Sequence, residues 1–172
     1  MKRLLALPIL LLAAIPAACG SSSSTPTTPP ATAGGGGASA LSAKKLSGLG
    51  VVLVNGESRT LYVFAPDHAK KVTCTGKCAQ VWSPLKVSGG QKPPLSGGVK
   101  ASLVASAPNP AGGQVVTYAG WPLYTYVSDA TPGTAHGQAL NNSGGVWYVI
   151  TPSGQVIKHR GGAGSSSGSD GY

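Results

Sequence analysis

Short apolar segments separated by tight-turn residues fill the central part of the chain. Three predicted hairpins follow this pattern, over residues 51–64, 114–126 and 146–157. The first turns at Asn55-Gly56, a strong hairpin signal, and the second at Ala119-Gly120. No ten-residue segment of the mature part has helical periodicity with caps, and 26 Gly and 14 Pro disfavour helix. The pattern predicts an all-β domain of antiparallel strands, either a sandwich or an open barrel.

One seven-residue motif occurs twice within this domain. Residues 61–67 read Leu-Tyr-Val-Phe-Ala-Pro-Asp, and residues 123–129 read Leu-Tyr-Thr-Tyr-Val-Ser-Asp. Self-similarity at a fixed offset indicates that one supersecondary unit is used twice. We therefore predict a duplicated β domain over residues 46–160, with repeats at about 48–98 and 99–158. A tryptophan follows each copy of the motif, Trp82 after the first and Trp147 after the second. The equivalent positions within the motif are Tyr62 and Tyr124, Phe64 and Tyr126, and Asp67 and Asp129.

Side chains of the repeated motif alternate between the two faces of a predicted strand. Leu61 and Val63 lie on one face of the predicted strand, and Tyr62 and Phe64 lie on the other. Because both faces are apolar or aromatic, we expect both to be covered.

The two aspartates stand at the strand exits, and the sequence leaves two interpretations of them open. A carboxylate at such a position commonly accepts backbone N–H bonds and fixes a turn. Alternatively, twofold symmetry brings Asp67 and Asp129 together for acid–base chemistry or for binding a shared cation.

The N-terminal 18 residues have the pattern of a signal peptide. Lys2 and Arg3 precede the apolar run 4–15, and Ala17-Ala18-Cys19 follows it. Small residues before a lone cysteine resemble the bacterial lipobox, which predicts lipidation at Cys19; the alternative is ordinary secretory cleavage. We expect residues 19–45 to form a Gly/Ser/Thr/Pro tether and residues 161–172 a disordered tail, because both lack enough apolar side chains to offset the entropy of ordering.

The chain is strongly basic. It carries 13 Lys and Arg against 4 Asp and Glu, and loss of Lys2 and Arg3 with the signal peptide leaves 11 against 4. Such a surplus attracts anionic surfaces, including the polymers of a cell envelope. The positive charges are scattered, so nucleic acid is not an expected partner. The simpler interpretation is a solvated surface that keeps the domain soluble.

Two cysteines remain after Cys19. In an oxidising compartment Cys74 and Cys78 are expected to form a disulfide around the short segment 75–77. The alternative is a soft-metal or redox site with His68 as a further ligand. No third ligand is evident nearby, and the spacing differs from the Cys-x-x-Cys of zinc sites.

These motifs together resemble the bacterial secreted-repeat lipoproteins. The resemblance rests on Thr60 to Asp67, on Cys74-x-x-x-Cys78 followed by Trp82-Ser83-Pro84-Leu85, and on Gln114 to Asp129 followed by Pro132-Gly133 and Gly137-Gln138. It covers residues 48–152. The resemblance implies a tandem Tyr-x-aromatic-x-x-Asp motif and an unknown biochemical function.

The remaining residues favour a binding or structural role. No nucleophile elbow, phosphate-binding loop or zinc-protease motif is present in the sequence, so we expect neither catalysis nor a cofactor. We predict a module anchored by lipid to the outer face of the cell membrane or to the outer membrane, and a cell-wall or carbohydrate-binding module is an alternative. The aromatic residues that fill a β core or provide a stacking platform for such a ligand are Trp82, Trp121, Trp147, Tyr118, Tyr124 and Tyr148.

Overall fold

The computed structural model describes residues 37–67, 71–89 and 91–161. The predicted signal peptide, Cys19, His68 and most of the predicted tail lie outside the described residues. The strands are β1 (Leu41–Leu46), β2 (Gly50–Asn55), β3 (Tyr62–Phe64), β4 (Trp82–Pro84), β5 (Lys86–Val87), β6 (Val104–Pro108), β7 (Gln114–Tyr118), β8 (Trp121–Pro122), β9 (Tyr124–Tyr126), β10 (Leu140–Asn142) and β11 (Gly145–Val149). One short helix, α1 (Lys77–Val81), and 3₁₀ turns at Ala65–Asp67 and Ala101–Leu103 complete the described elements.

The strands pair in three antiparallel sheets, which confirms the predicted fold class. A central sheet has the order β10-β11-β3-β9-β4, β5, β7 and β6 form a second sheet with β8 on β7, and β1 pairs with β2. The sheets curl into a half-barrel. This arrangement corresponds to the open-barrel form of the prediction.

The two halves of the domain exchange strands at the centre of this sheet. β4, from the first half, pairs with β9 of the second, and β11, from the second half, pairs with β3 of the first. The registers are equivalent, since Trp82 faces Tyr126 in one pair and Trp147 faces Phe64 in the other. β3 and β9 meet at Tyr62 and Tyr124, so a pseudo-twofold axis passes between these tyrosines.

The predicted hairpins exist only in part. Val54 and Thr60 form an isolated bridge around the Asn55-Gly56 turn, but β2 pairs mainly with β1. The Ala119-Gly120 turn joins β7 to the two-residue strand β8, and its φ angles of 49° and 84° suit a mirror-image turn. The third predicted hairpin is present as a short pairing, with a bridge between Ile150 and Val156 and backbone hydrogen bonds at Thr151 and Ile157. Short local hairpins therefore coexist with the pairing between the halves in the central sheet.

The ordered domain begins earlier than predicted. The prediction extended the tether to residue 45, whereas β1 begins at Leu41. Leu41 and Leu46 are buried at the two ends of β1, while Lys44 and Lys45 between them are exposed. Burial of the two leucines offsets the entropy of ordering this polar segment.

Each face of the central sheet has its own hydrophobic core, as the alternation predicted. Tyr62 and Phe64 belong to an aromatic core with Trp82, Trp147 and Tyr124. Leu61 and Val63 belong to an aliphatic core, whose other members include Leu41, Leu53, Leu85, Val116, Leu123 and Ile150. Both faces of the repeated strand are therefore covered.

Helical structure is minor in the described part of the chain. Helix α1 has five residues and follows Gly76, whose positive φ of 56° suits glycine. No helix within the described ranges combines the length and the apolar composition that membrane crossing requires.

Packing in the aromatic core is tight enough to test with a single methyl group. A Cβ at Gly137 would lie 2.7 Å from Cη2 of Trp82 and 3.0 Å from Cε1 of Tyr62. We expect Gly137→Ala to lower the free energy of unfolding by about 1–3 kcal/mol, the usual cost of overpacking, in urea denaturation. Gly37→Ala is the control, because nothing lies within 4 Å of its added Cβ. Equal unfolding midpoints for the two variants would contradict this packing.

Candidate functional site

The repeated tyrosines and aspartates bond across the pseudo-twofold axis. The hydroxyl of Tyr62, in the first repeat, donates to Oδ2 of Asp129, in the second, at 2.5 Å. The hydroxyl of Tyr124, in the second repeat, donates to Oδ2 of Asp67, in the first. Each repeat therefore supplies the donor for the other repeat's carboxylate. We call these two interactions the reciprocal Tyr–Asp bonds.

Both carboxylates are fully buried and have further donors close in sequence. Asp67 accepts from the backbone N–H of Thr73 at 2.7 Å and from the Thr73 hydroxyl. Asp129 accepts from the backbone N–H of His136 at 2.9 Å, and Nδ1 of the same histidine lies 3.0 Å away. Hydrogen bonds of this kind compensate a buried carboxylate for lost hydration. Asp67 thus holds the backbone at Thr73, and Asp129 holds it at His136.

Burial and the neighbouring carboxylates keep the two tyrosines protonated. Loss of hydration raises the pKa of Tyr62 far above its ordinary value, and the hydrogen bond to Asp129 and its charge raise it further. Burial likewise raises the pKa of Tyr124, with the bond to Asp67 as the next cause. A phenolate beside a buried carboxylate would place two like charges in a dry environment, so both hydroxyls are held as donors.

Four aromatic rings form a continuous stack beside these bonds. Trp82 and Trp147, one from each repeat, are parallel with their centroids 3.8 Å apart. Trp82 also stacks on Tyr126, and Trp147 stacks on Phe64, both at 4.2 Å. Tyr62 meets the edge of this stack at Trp82. The aromatic side chains of the repeated motif, together with the two tryptophans, therefore form a core that the two halves share.

The guanidinium of Arg59 joins the second repeat to the first from outside this core. It donates from Nη2 to the carbonyl of Tyr126 at 2.8 Å and from Nε to the carbonyl of Asp129 at 3.3 Å. The equivalent position in the second half is Trp121, 62 residues further along the chain. This pair is one of the places where the halves differ.

The sulfur atoms of Cys74 and Cys78 lie 1.97 Å apart, at disulfide distance. Cys74 is buried against the aromatic core, and Cys78 lies in α1. His68, proposed from the sequence as an additional metal ligand, lies outside the described residues. Within the described ranges no group of three or more His, Cys, Asp or Glu side chains is placed to hold a metal ion.

Sequence reasoning missed the loop residues that complete the two carboxylate sites. Thr73 follows Asp67 by six positions, and His136 follows Asp129 by seven. This similar spacing after each aspartate is a signal that could have identified them. The imidazole of His136 is largely exposed, so it bonds to the buried Asp129 from the surface side.

Two grooves occupy equivalent places in the two halves. The polar groove, of about 280 Å³, includes Arg59, Ser83 and Thr125 in its lining. The aromatic groove, of about 560 Å³, has Trp121, Tyr148 and Val63 at the corresponding positions, and its remaining lining residues are Ala65, Val146, Gln155, Val156 and Lys158. The halves are thus alike in their core and different on this surface.

The reciprocal bonds predict the effect of removing one hydroxyl. Tyr62→Phe leaves the buried carboxylate of Asp129 without its shortest donor, and such a loss costs about 1–3 kcal/mol. We expect a decrease of this size in the free energy of unfolding, measured by urea denaturation, and a decrease of similar size for Tyr124→Phe.

Tyr126→Phe is the matched control for this experiment. Tyr126 stacks in the same aromatic core and is half-buried, and its hydroxyl bonds to none of the described residues. Its replacement should change stability by less than about 0.5 kcal/mol. If all three variants lost the same stability, the reciprocal bonds would not have the role assigned to them.

The raised pKa values of Tyr62 and Tyr124 also predict a pH dependence. Folding keeps both protons, whereas the unfolded chain releases them above about pH 10. Their contribution to stability is therefore present below about pH 10 and is lost as pH rises beyond it. In a phenolate absorbance titration, Tyr62 and Tyr124 should ionise only on unfolding. Tyr62→Phe should reduce the phenolate absorbance change that accompanies alkaline unfolding by the amount of one tyrosine; an unchanged amplitude would be the contrary result.

A family model described as a secreted repeat of unknown function matches this chain twice. The matched segments, residues 46–86 and 106–151, correspond to the two structural halves and together span half of the chain. Neither the curated proteins nor the solved structures provide a significant match. The chain therefore belongs to this family of secreted repeats, and it is an extracytoplasmic protein.

Proposed function

We propose that this protein is a lipid-anchored binding module on the outer side of a bacterial membrane. The observation that supports a binding role is that the repeated motif uses its own polar groups inside the fold. Both repeated aspartates and both repeated tyrosine hydroxyls are buried and bonded to each other. The chemistry-bearing groups of the motif are therefore used to join the halves, which favours a scaffold that presents a surface over a catalytic site.

The charge distribution supports an anionic partner for this scaffold. Asp67 and Asp129 are buried, so Glu57 is the one exposed carboxylate among the described residues. The cationic side chains of the same residues are Lys44, Lys45, Arg59, Lys71, Lys77, Lys86, Lys92, Lys100, Lys158 and Arg160. A surface of this composition attracts polyanions of the cell envelope.

The proposed anchor is a lipid attached to Cys19. Support comes from the sequence, in which the apolar run and Ala17-Ala18 immediately precede this cysteine. The Gly, Ser, Thr and Pro composition of the sequence between Cys19 and β1 is that expected of a tether that keeps the domain near the membrane surface. The chain has three cysteines, and Cys74 and Cys78 form the disulfide. Lipid modification would give the third, Cys19, a role of its own.

Cys19→Ala tests the anchor in a bacterium that processes lipoproteins. We expect the parent protein in the membrane fraction, resistant to high salt and released by detergent, and labelled by a clickable palmitate analogue. Cys19→Ala should lose the label and the detergent-dependent association. Ser21→Ala, two positions away, is the control and should behave as the parent.

Two outcomes would contradict the anchor. One is unchanged palmitate labelling of Cys19→Ala. The other is release of the parent protein by high salt alone, since charge-driven association is screened by salt and lipid insertion is not.

A further inference from the structure

The aromatic groove departs from the symmetry that governs the rest of the domain. Core positions of the two halves carry the same kinds of residue, as in the reciprocal Tyr–Asp bonds and the paired tryptophans. At the grooves, Arg59 corresponds to Trp121 and Ser83 to Tyr148. The fold itself therefore accepts either polar or aromatic side chains at these places. Trp121 and Tyr148 pack against the aliphatic core, but packing there does not require an aromatic residue with a polar atom.

The polar atoms of the aromatic groove are free to bind a ligand. Buried aromatic residues use theirs internally: Nε1 of Trp82 donates to Asn142 at 3.1 Å, and the hydroxyl of Tyr118 donates to the Pro152 carbonyl at 2.6 Å. Trp121 and Tyr148 are only partly buried, and neither side chain bonds to a described residue. Each lines the groove with an aromatic ring and keeps a donor that no described residue uses, as aromatic residues at binding sites commonly do.

The electrostatic character of the groove is positive. Lys158 is exposed at its edge beside the polar side chain of Gln155, and the described lining contains no carboxylate. The groove volume of about 560 Å³ lies within the range of small-ligand sites. A ligand that matches this lining has a flat, partly apolar face for the rings and a negative charge for Lys158.

We propose that the aromatic groove binds a polysaccharide whose sugar units carry carboxylates. A sugar ring has C–H groups on its face and hydroxyls at its edge, so it stacks on Trp121 or Tyr148 while its hydroxyls meet their free donors. The carboxylate of the same or the next unit pairs with Lys158. The proposal deepens the binding role proposed above and names its ligand class.

The test uses purified full-length protein in non-ionic detergent, so that binding is measured independently of membrane attachment. The probes are polygalacturonate, neutral dextran, polyacrylate, which has carboxylates but no sugar rings, and duplex DNA. We expect polygalacturonate to bind at least about tenfold more tightly than the other three in calorimetric titration. Quenching of tryptophan fluorescence should accompany it, because Trp121 is the tryptophan that is not fully buried.

The variants exchange residues that the fold already accommodates. Tyr148→Ser introduces the residue found at the equivalent Ser83, and it should weaken polygalacturonate binding about tenfold, as loss of an aromatic anchor does. Lys158→Ala should weaken it as well. Lys86→Ala is the matched control, since it removes the same charge from the polar groove and should leave the affinity within about twofold.

Several results would overturn this assignment. They are no binding of polygalacturonate, equal or tighter binding of dextran, polyacrylate or DNA, unchanged affinity in Tyr148→Ser, or equal losses in Lys158→Ala and Lys86→Ala. Equal losses would indicate attraction by diffuse charge. Each of these outcomes leaves the Cys19 experiment unaffected, so failure of the ligand assignment is distinguishable from failure of the anchor.

Discussion

The reciprocal Tyr–Asp bonds are the constraint on which the rest of the structure depends. A buried carboxylate is costly unless donors surround it, and here one donor to each carboxylate comes from the other half of the domain. Neither half can satisfy its own aspartate in full. The exchange of β4 and β11 also joins the halves, because β4 of the first half pairs with β9 of the second, and β11 of the second pairs with β3 of the first. The duplicated unit is therefore a part of one domain rather than a small domain used twice.

The same bonds specify how the central strands align. A shift of one residue between β3 and β9 would move every side chain of β3 to the opposite face. It would separate Tyr62 from Asp129 and Tyr124 from Asp67 together, and it would disrupt the stack of Trp82 on Trp147. Hydrogen bonds and aromatic packing thus favour one register. Polar groups in the core contribute to the uniqueness of this alignment as well as to its stability.

The repeated motif allowed much of this fold to be predicted from the sequence, and individual residues show the limits of that prediction. Period-two alternation placed Tyr62 and Leu61 on opposite faces, because that property is local to a strand. The pairing of β3 with β9 and β11 is not local, so the sequence predicted the hairpins but not this pairing. Residues 41–45 of β1 were assigned to the tether because the composition of that segment gives no sign that Leu41 is buried. The spacing after each aspartate marks the loop donors of Asp67 and Asp129, but no local pattern marks the tyrosine donors, which come from the other repeat.

Duplication also separates the residues that maintain the fold from those that are available for binding. Where both halves need the same contact, they keep the same chemistry, as at Asp67 and Asp129. Where the fold makes no such demand, the halves have diverged, and Trp121 and Tyr148 stand where the other half has Arg59 and Ser83. Both aromatic side chains pack against the edge of the aliphatic core, but each stays partly exposed and its polar atom bonds to no described residue. Their position beside Lys158 makes the aromatic groove the part of this surface at which a binding role is concentrated.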